Sequence, residues 1–480
     1  MNTAPAGNVW AQTQVAGLAN TKPGKLIRDW LTQCQANAEE FSRWWSAVLS
    51  EEAAKRKSPT DRARGDSIFC REHGGFRLGE VTKSEPKTIS VLMVGQTSDI
   101  WFETTFLLND DGKFDRASLL PTTPPESSMP SALSDAAIAS KLQTYVAKLT
   151  QMGAFSGIVT VARGDHIVAS VSGGYANRSE KTAITGATQF TLGSLGKMFT
   201  AASIGQLVDQ KKVSFGDRVG KFFPDYPNRT IRDDATVGML LSHTAGLGDF
   251  LDKRTPQMMT NGVKRAAEFM PLYENDEPQF KPGTQWAYSN AGLALAGAIV
   301  EKVSGEDYPD YLRKHIFRVA GMVNSDPNNT PHTMERLVTP YTKRTDHGLS
   351  ADWLEAEHDI GSPAGGAIST AEDLVHFAEA LRSGKLVSKM TFDEMAKPHG
   401  LGRGANYGYA TEIDDIYGRS VVGHGGGFPG VSTHLDIVLG SPYTVVVLTN
   451  QDSAETAARL MAVAMTVERS KLEATHSIGP

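Results

Sequence analysis

Residues 189–208 read QFTLGSLGKMFTAASIGQLV, from Gln189 to Val208. Beyond Lys197 the run Met198-Phe199-Thr200-Ala201-Ala202-Ser203-Ile204-Gly205-Gln206-Leu207-Val208 is apolar on nearly every face, which predicts a buried helix and not an amphipathic surface one. Lys197 is the only charge between Ser194 and Val208. An ammonium in a low-dielectric interior is disfavoured, so its pKa should fall unless it has a specific partner. A lysine driven toward neutrality can act as a base. The spacing puts Ser194 and Lys197 on one helix face, a turn apart, and a serine at a helix start meets the positive end of the dipole. Taken alone, the pair also fits a capping serine and a lysine that snorkels to solvent.

Two later segments bear on the same chemistry. Phe280-Lys281-Pro282-Gly283-Thr284-Gln285-Trp286-Ala287-Tyr288-Ser289-Asn290-Ala291-Gly292 puts a Pro-Gly turn ahead of an apolar helix from Leu293 to Val300. Tyr288 and Asn290, two apart, share a side of an extended stretch and can face one cleft. A phenol near Lys197 would have its ionised form favoured by the ammonium and could serve as general base, then acid. In isolation the segment also reads as a buried aromatic with a capping asparagine. Val421-Val422-Gly423-His424-Gly425-Gly426-Gly427-Phe428-Pro429-Gly430 is glycine-dense and leads into a strand at His434 to Val438. Glycines let a backbone approach a ligand closely. One N–H here and that of Ser194 could hold the oxyanion of a tetrahedral intermediate. A glycine-rich hairpin with a surface histidine fits the same residues.

The order S-x-x-K (Ser194, Lys197), Y-x-N (Tyr288, Asn290) and H-x-G (His424, Gly426) resembles the class C β-lactamase-like and penicillin-recognising enzymes. The segments Met239 to Leu247, Gly365 to Thr370 and Val445 to Asn450 have the same family texture, and the resemblance runs from about Leu133 to the C-terminus. It implies an α+β fold with a β-lactamase/transpeptidase-like antiparallel sheet flanked by helices. It also implies Ser194 as acylated nucleophile, Lys197 and Tyr288 as the proton-transfer pair, and Asn290, His424 and Gly426 as substrate-binding residues. The oxyanion hole would be the backbone N–H groups of Ser194 and Gly427. No metal or cofactor is needed for this chemistry. One departure matters. Enzymes of this family that hydrolyse β-lactams carry a lysine for the substrate carboxylate where this chain has His424, and a largely neutral imidazole attracts a carboxylate less. The expected substrate is therefore a small ester or peptide-like molecule, with carboxylesterase as the first reading. D-aminopeptidase, D-alanyl carboxypeptidase or weak β-lactamase activity is the alternative, and an acylated or ligand-occupied sensor is the non-enzymatic one.

Outward from these motifs, 480 residues exceed what one ordinary core accommodates. Residues 1–120 are expected to form an accessory α+β domain: helical spacing over Lys25 to Glu51, then strands at Phe76–Val81, Thr88–Met93, Trp101–Leu108 and Arg116–Leu120. The outline resembles the cystatin-like domains. Residues 121–130, PTTPPESSMP, read as an extended linker, and 131–480 as the hydrolase domain. A hairpin is expected around Arg163-Gly164-Asp165, and a closing helix over Ala454 to Val467. Hydrophobic residues make up 40% and charged residues 21%, and no apolar run is long enough to span a bilayer. The net charge of −6, from 54 acids and 48 bases mixed along the chain, offers no stripe for nucleic acid or anionic lipid. Homo-oligomerisation through the N-terminal domain is open. Met1 to Asn20 lacks a secretory pattern, so the chain is expected to be cytoplasmic, or else periplasmic or secreted with its signal removed. Cys34 and Cys70 match neither a zinc-site spacing nor a disulfide framework. Gly196-Lys197-Met198 fails the P-loop pattern, and no serine occupies a G-x-S-x-G elbow. His243, between Ser242 and Thr244 after an apolar run, reads as a core or turn histidine with a satisfied hydrogen bond.

Overall fold

The structure is a computed structural model that describes residues 21–98, 100–122, 133–255, 258, 264–327, 336–345, 348–355, 361–416, 418–452 and 455–466. Four helices come first: α1 (Lys22–Gln33), α2 (Ala38–Val48), α3 (Glu51–Arg56) and α4 (Pro59–Glu72). Each starts at a side-chain cap, supplied by Thr21, Asn37, Ser50 and Ser58. They pack on an antiparallel sheet of β1 (Phe76–Glu85), β2 (Thr88–Gly95), β3 (Trp101–Leu108) and β4 (Phe114–Pro121), paired in sequence order. Bulges in the β1–β2 and β3–β4 pairs supply local bends. The indoles of Trp30 and Trp45 both donate to Asp66 Oδ2, at 2.8 and 3.1 Å, so two apolar helices are pinned to α4 by one carboxylate. Of the expected linker, only residues 121 and 122 are described, and 121 closes β4; the rest lies outside the described residues.

Cys34 and Cys70 form a disulfide with Cα atoms 5.4 Å apart. The expectation that their spacing fits no disulfide framework is corrected. A lone bridge leaves no repeating pattern to match; it arises because the end of α1 and the last turn of α4 meet in space.

The second part is built on a six-stranded antiparallel sheet. Helix α5 (Asp135–Gln151) leads into the hairpin β5 (Gly157–Arg163) and β6 (His166–Gly173). Beyond lie the helices α6 (Lys197–Asp209), α7 (Asn290–Ser304) and α8 (Ala371–Arg382). The chain then returns through β7 (Glu412–Ile416), β8 (Arg419–Phe428), β9 (Val431–Val438) and β10 (Tyr443–Thr449), and ends its described course in α9 (Glu455–Met465). The spatial order is β7-β8-β9-β10-β5-β6. Tyr443 pairs with Arg163 and Thr449 with Gly157, so the two ends of this part meet in mid-sheet. Alternate residues go to opposite faces. Ile158, Leu435, Val446 and Leu448 join the core that holds α6, α7 and α8. Val159, Val161, Val445 and Val447 join a second core, which passes through α5 and α9 and continues into the N-terminal helices and sheet. With both faces covered, β9 and β10 are buried along their whole length, polar residues such as Thr433 and Asp436 included. Among the described residues no helix is long and apolar enough to cross a membrane.

Candidate active site

The nucleophile segment is set by a short strand and a sharp turn. Phe190–Thr191 pairs with Ile368–Ser369, and Gly193 then turns the chain with φ of +57°. At Gly193 a side chain would be strained by this φ, and its Cβ would lie 2.9 Å from the Gly427 nitrogen. Glycine is thus needed for two reasons, and the end of β8 lies directly against the Ser194 turn. Ser194 sits in a 3-10 turn, Gly193–Gly196, and the regular helix begins at Lys197. The expected buried helix is present: ten of its residues, Lys197 included, are buried.

Lys197 is fully enclosed, with 0% of its surface exposed. Its Nζ lies 2.9 Å from Ser194 Oγ and 2.7 Å from Asn290 Oδ1, and donates to the Ala364 carbonyl. The lysine does not snorkel to solvent. The loop that contributes Ala364 immediately precedes the Gly365-Gly366 segment, whose Gly366 N–H bonds the Gly193 carbonyl at 3.0 Å.

The second motif stands at the start of α7. Ser289, itself extended, caps that helix, its hydroxyl accepting the Gly292 N–H at 2.9 Å, so Asn290 is the first helical residue and Tyr288 directly precedes the cap. Asn290 is buried and uses both ends of its amide: Oδ1 on Lys197, and Nδ2 on Asp249 Oδ2 at 2.7 Å. The Tyr288 ring lies 4.8 Å from Lys197 Nζ. Its pKa is pushed up, chiefly by burial and further by Glu412 and Asp249, against a hydrogen bond from Ser194 that works the other way. Desolvation and the two carboxylates thus favour the phenol over the phenolate.

The third motif lies on β8. Gly426 and Gly427 line the Ser194 turn, and Thr433 Oγ1 ties β9 to the same turn by donating to the Leu192 carbonyl at 2.7 Å. His424 is only 1% exposed, its Nδ1 is bonded to the Gly425 carbonyl and its Nε2 lies 2.8 Å from Tyr407 Oη. Both ring nitrogens are engaged inside the protein. Burial pulls its pKa down to about 4, with Lys197 adding to the effect and Glu412 opposing it.

His243 is the satisfied core histidine expected, 1% exposed, with Nδ1 accepting the Ser289 N–H at 3.1 Å and Nε2 2.9 Å from Tyr407 Oη. Three contributors were not legible in the sequence. Asp249 and Tyr407 lie in irregular segments without a motif, and Ala364 acts through its carbonyl, which no side-chain pattern reports. No cluster of three or more histidine, cysteine or acidic residues suited to a metal ion occurs among the described residues.

Comparison with known proteins places this geometry among relatives. A family model described as Beta-lactamase matches residues 142–468. Penicillin-binding protein 4* of Bacillus subtilis is 28% identical over 327 residues, spanning 65% of this chain and 71% of that protein. A D-aminopeptidase of Cereibacter sphaeroides is 24% identical over 66% of this chain, which spans 61% of the relative's length. Among solved structures, a penicillin binding protein from Bacillus halodurans superposes with a TM-score of 0.56 at 29% identity, over 66% of this chain and 97% of that one.

Proposed function

Since the chain belongs to the beta-lactamase family, whose members include serine hydrolases, we propose that it hydrolyses a carboxylic ester or amide through an acyl-enzyme on Ser194. The observation that carries this reading is the 2.9 Å contact of Ser194 Oγ with the enclosed Lys197 amine, beside the phenol of Tyr288. Ser194 Oγ attacks the carbonyl carbon and passes its proton to the Lys197–Tyr288 pair. That pair returns a proton to the departing alcohol or amine as the C–O or C–N bond breaks. Water then attacks the acyl-enzyme by the same route in reverse, releasing the acid and restoring the serine. Because Tyr288 rests as a phenol, its natural entry is as the acid that protonates the leaving group. Ser194 and Gly427 N–H groups serve as the oxyanion donors.

The charge around the cleft favours substrates without a carboxylate to be recognised. His424 is neutral and enclosed, while Asp249 and Glu412 both bear on Tyr288. A penicillin or a D-alanyl terminus brings an anion into that field; a neutral ester does not. Carboxylesterase is the first reading. The second, an amidase or peptidase acting on a substrate with a free amino group, is favoured by the exposed Asp249 carboxylate beside Asn290 and by the D-aminopeptidase relative.

The test offers p-nitrophenyl butyrate, D-alanine p-nitroanilide and nitrocefin to the wild type and to Ser194→Ala. Ester turnover is expected to be fastest and nitrocefin slowest, with every activity lost in Ser194→Ala. Steady turnover by Ser194→Ala would sink the nucleophile assignment, and a preference for nitrocefin would sink the argument from charge.

A further inference from the structure

A run of hydrogen bonds joins the loop of Tyr288 and Asn290 to the strand of Gly426 and Gly427, and its direction is fixed from both ends. The Ser289 backbone N–H can only donate, so His243 Nδ1, 3.1 Å away, accepts. A neutral imidazole with an accepting Nδ1 carries its proton on Nε2, which therefore donates to Tyr407 Oη at 2.9 Å. At the far end the Gly425 carbonyl can only accept, so His424 Nδ1 donates to it. His424 Nε2 is then proton-free and takes the Tyr407 O–H at 2.8 Å. Tyr407 accepts from one histidine and donates to the other, and no bond in the series can be reversed without setting donor against donor.

We propose that His243 and Tyr407 are positioning residues which, through His424, hold the Tyr288 loop and the oxyanion strand in fixed register, and that His424 occupies the third motif to complete this series and not to receive substrate. The proposal rests on Ser194 and Tyr288 being the reacting groups. His243, Tyr407 and His424 are all buried, so water does not compete for the bonds. The left-handed backbone of His243, φ +61°, turns its ring into the site, where it also lies 4.3 Å from the Tyr288 ring. Residue Gly425 is held at both ends, its N–H by Glu412 Oε2 at 3.2 Å and its carbonyl by His424. It directly precedes Gly426. A lysine at 424 could not serve, because an ammonium has donors only: it would face the Tyr407 oxygen and leave the phenol proton without an acceptor.

Tyr407→Phe removes the central hydroxyl and keeps the ring. His243→Asn keeps an acceptor for Ser289 and a residue tolerant of positive φ, but cannot reach Tyr407. Both, their double variant and Ser194→Ala are assayed on the best substrate of the panel, with thermal unfolding to establish that each is folded. The expected result is a fall in kcat of about tenfold to a hundredfold in each single variant, KM within about twofold, and a double variant no worse than the worse single one. Wild-type kcat in folded Tyr407→Phe, or losses that multiply in the double variant, would overturn the series as a positioning device. An active Ser194→Ala would instead overturn the reading on which it rests, so the two failures are distinguishable.

Discussion

Gly426→Ala tests whether the contact between the oxyanion strand and the nucleophile turn sets the rate. A Cβ on Gly426 would lie 1.9 Å from the Leu192 carbonyl oxygen and 2.6 Å from Thr433 Oγ1. Real Cβ contacts essentially never fall under 3.0 Å, so β8 and the Leu192–Ser194 turn must separate by about 1 Å, a misplacement of the size that costs about a hundredfold in rate. The hydrogen bond from Thr433 to Leu192 occupies the same space and would be lost. The neighbouring glycine supplies the control. At Gly427 a Cβ meets only the Val431 carbonyl, at 3.6 Å, which is an ordinary contact, and alanine keeps the backbone N–H. Stopped-flow acylation with p-nitrophenyl butyrate should therefore fall about a hundredfold in Gly426→Ala, roughly 2.7 kcal/mol of barrier. Gly427→Ala should stay within a few-fold of wild type. Equal losses in the two variants, or a wild-type burst in folded Gly426→Ala, would refute the reasoning.

Acid should weaken the fold through His424. Its pKa is lowered from 6.5 to about 4 by burial and Lys197, against Glu412, with a smaller lowering effect from His434, so the unfolded chain binds the extra proton first as pH falls. The stabilisation is fully present above about pH 6.5 and is lost progressively down to about pH 4, for a total on the order of 3 kcal/mol. Thermal unfolding of wild type and His424→Gln across that window should show a shallower slope in the variant; identical slopes would contradict the assignment. Reducing the Cys34–Cys70 bridge releases a loop with a sequence separation of 36, which on chain-entropy grounds costs up to about 4 kcal/mol. Unfolding with and without dithiothreitol should differ accordingly, while acylation by the folded reduced protein should hardly change, because the bridge lies in the N-terminal helices.

What the sequence made legible was whatever a local pattern could carry. The burial of the helix after Ser194 follows from its unbroken apolar run, and the meeting of Lys197 with Ser194 from their spacing. The strand at Trp101 shows period-two alternation, and the hairpin at Gly164 its turn residues. The remainder depended on groups far apart in the chain. Lys197 is the charge that the spacing brings to Tyr288, whereas burial, Glu412 and Asp249, which push its pKa up, come from segments far away in the chain. Tyr407 has no motif because its role is defined by two histidines from distant segments, and the tautomers that give it direction follow from which backbone atom stands at each end. The disulfide escaped for the same reason: two helix ends converge without any spacing that announces it.

The same distances show how His424 carries the third motif in sequence and is enclosed in space. Along β8, side chains alternate between the two faces of the sheet, and the glycine at 426 lets the Leu192 carbonyl occupy the place of a side chain. The strand therefore meets the nucleophile turn through backbone alone, and a backbone has no rotamer with which to correct its own position. Besides its pairing with β9, its placement comes from what holds Gly425, namely Glu412 on the N–H and His424 on the carbonyl. A residue at 424 released to bind substrate would give up one of those two holds. Asp249 is exposed and bonded to a motif residue, through Asn290, so under the proposed function its carboxylate is where an amine-bearing substrate and a neutral ester would be told apart.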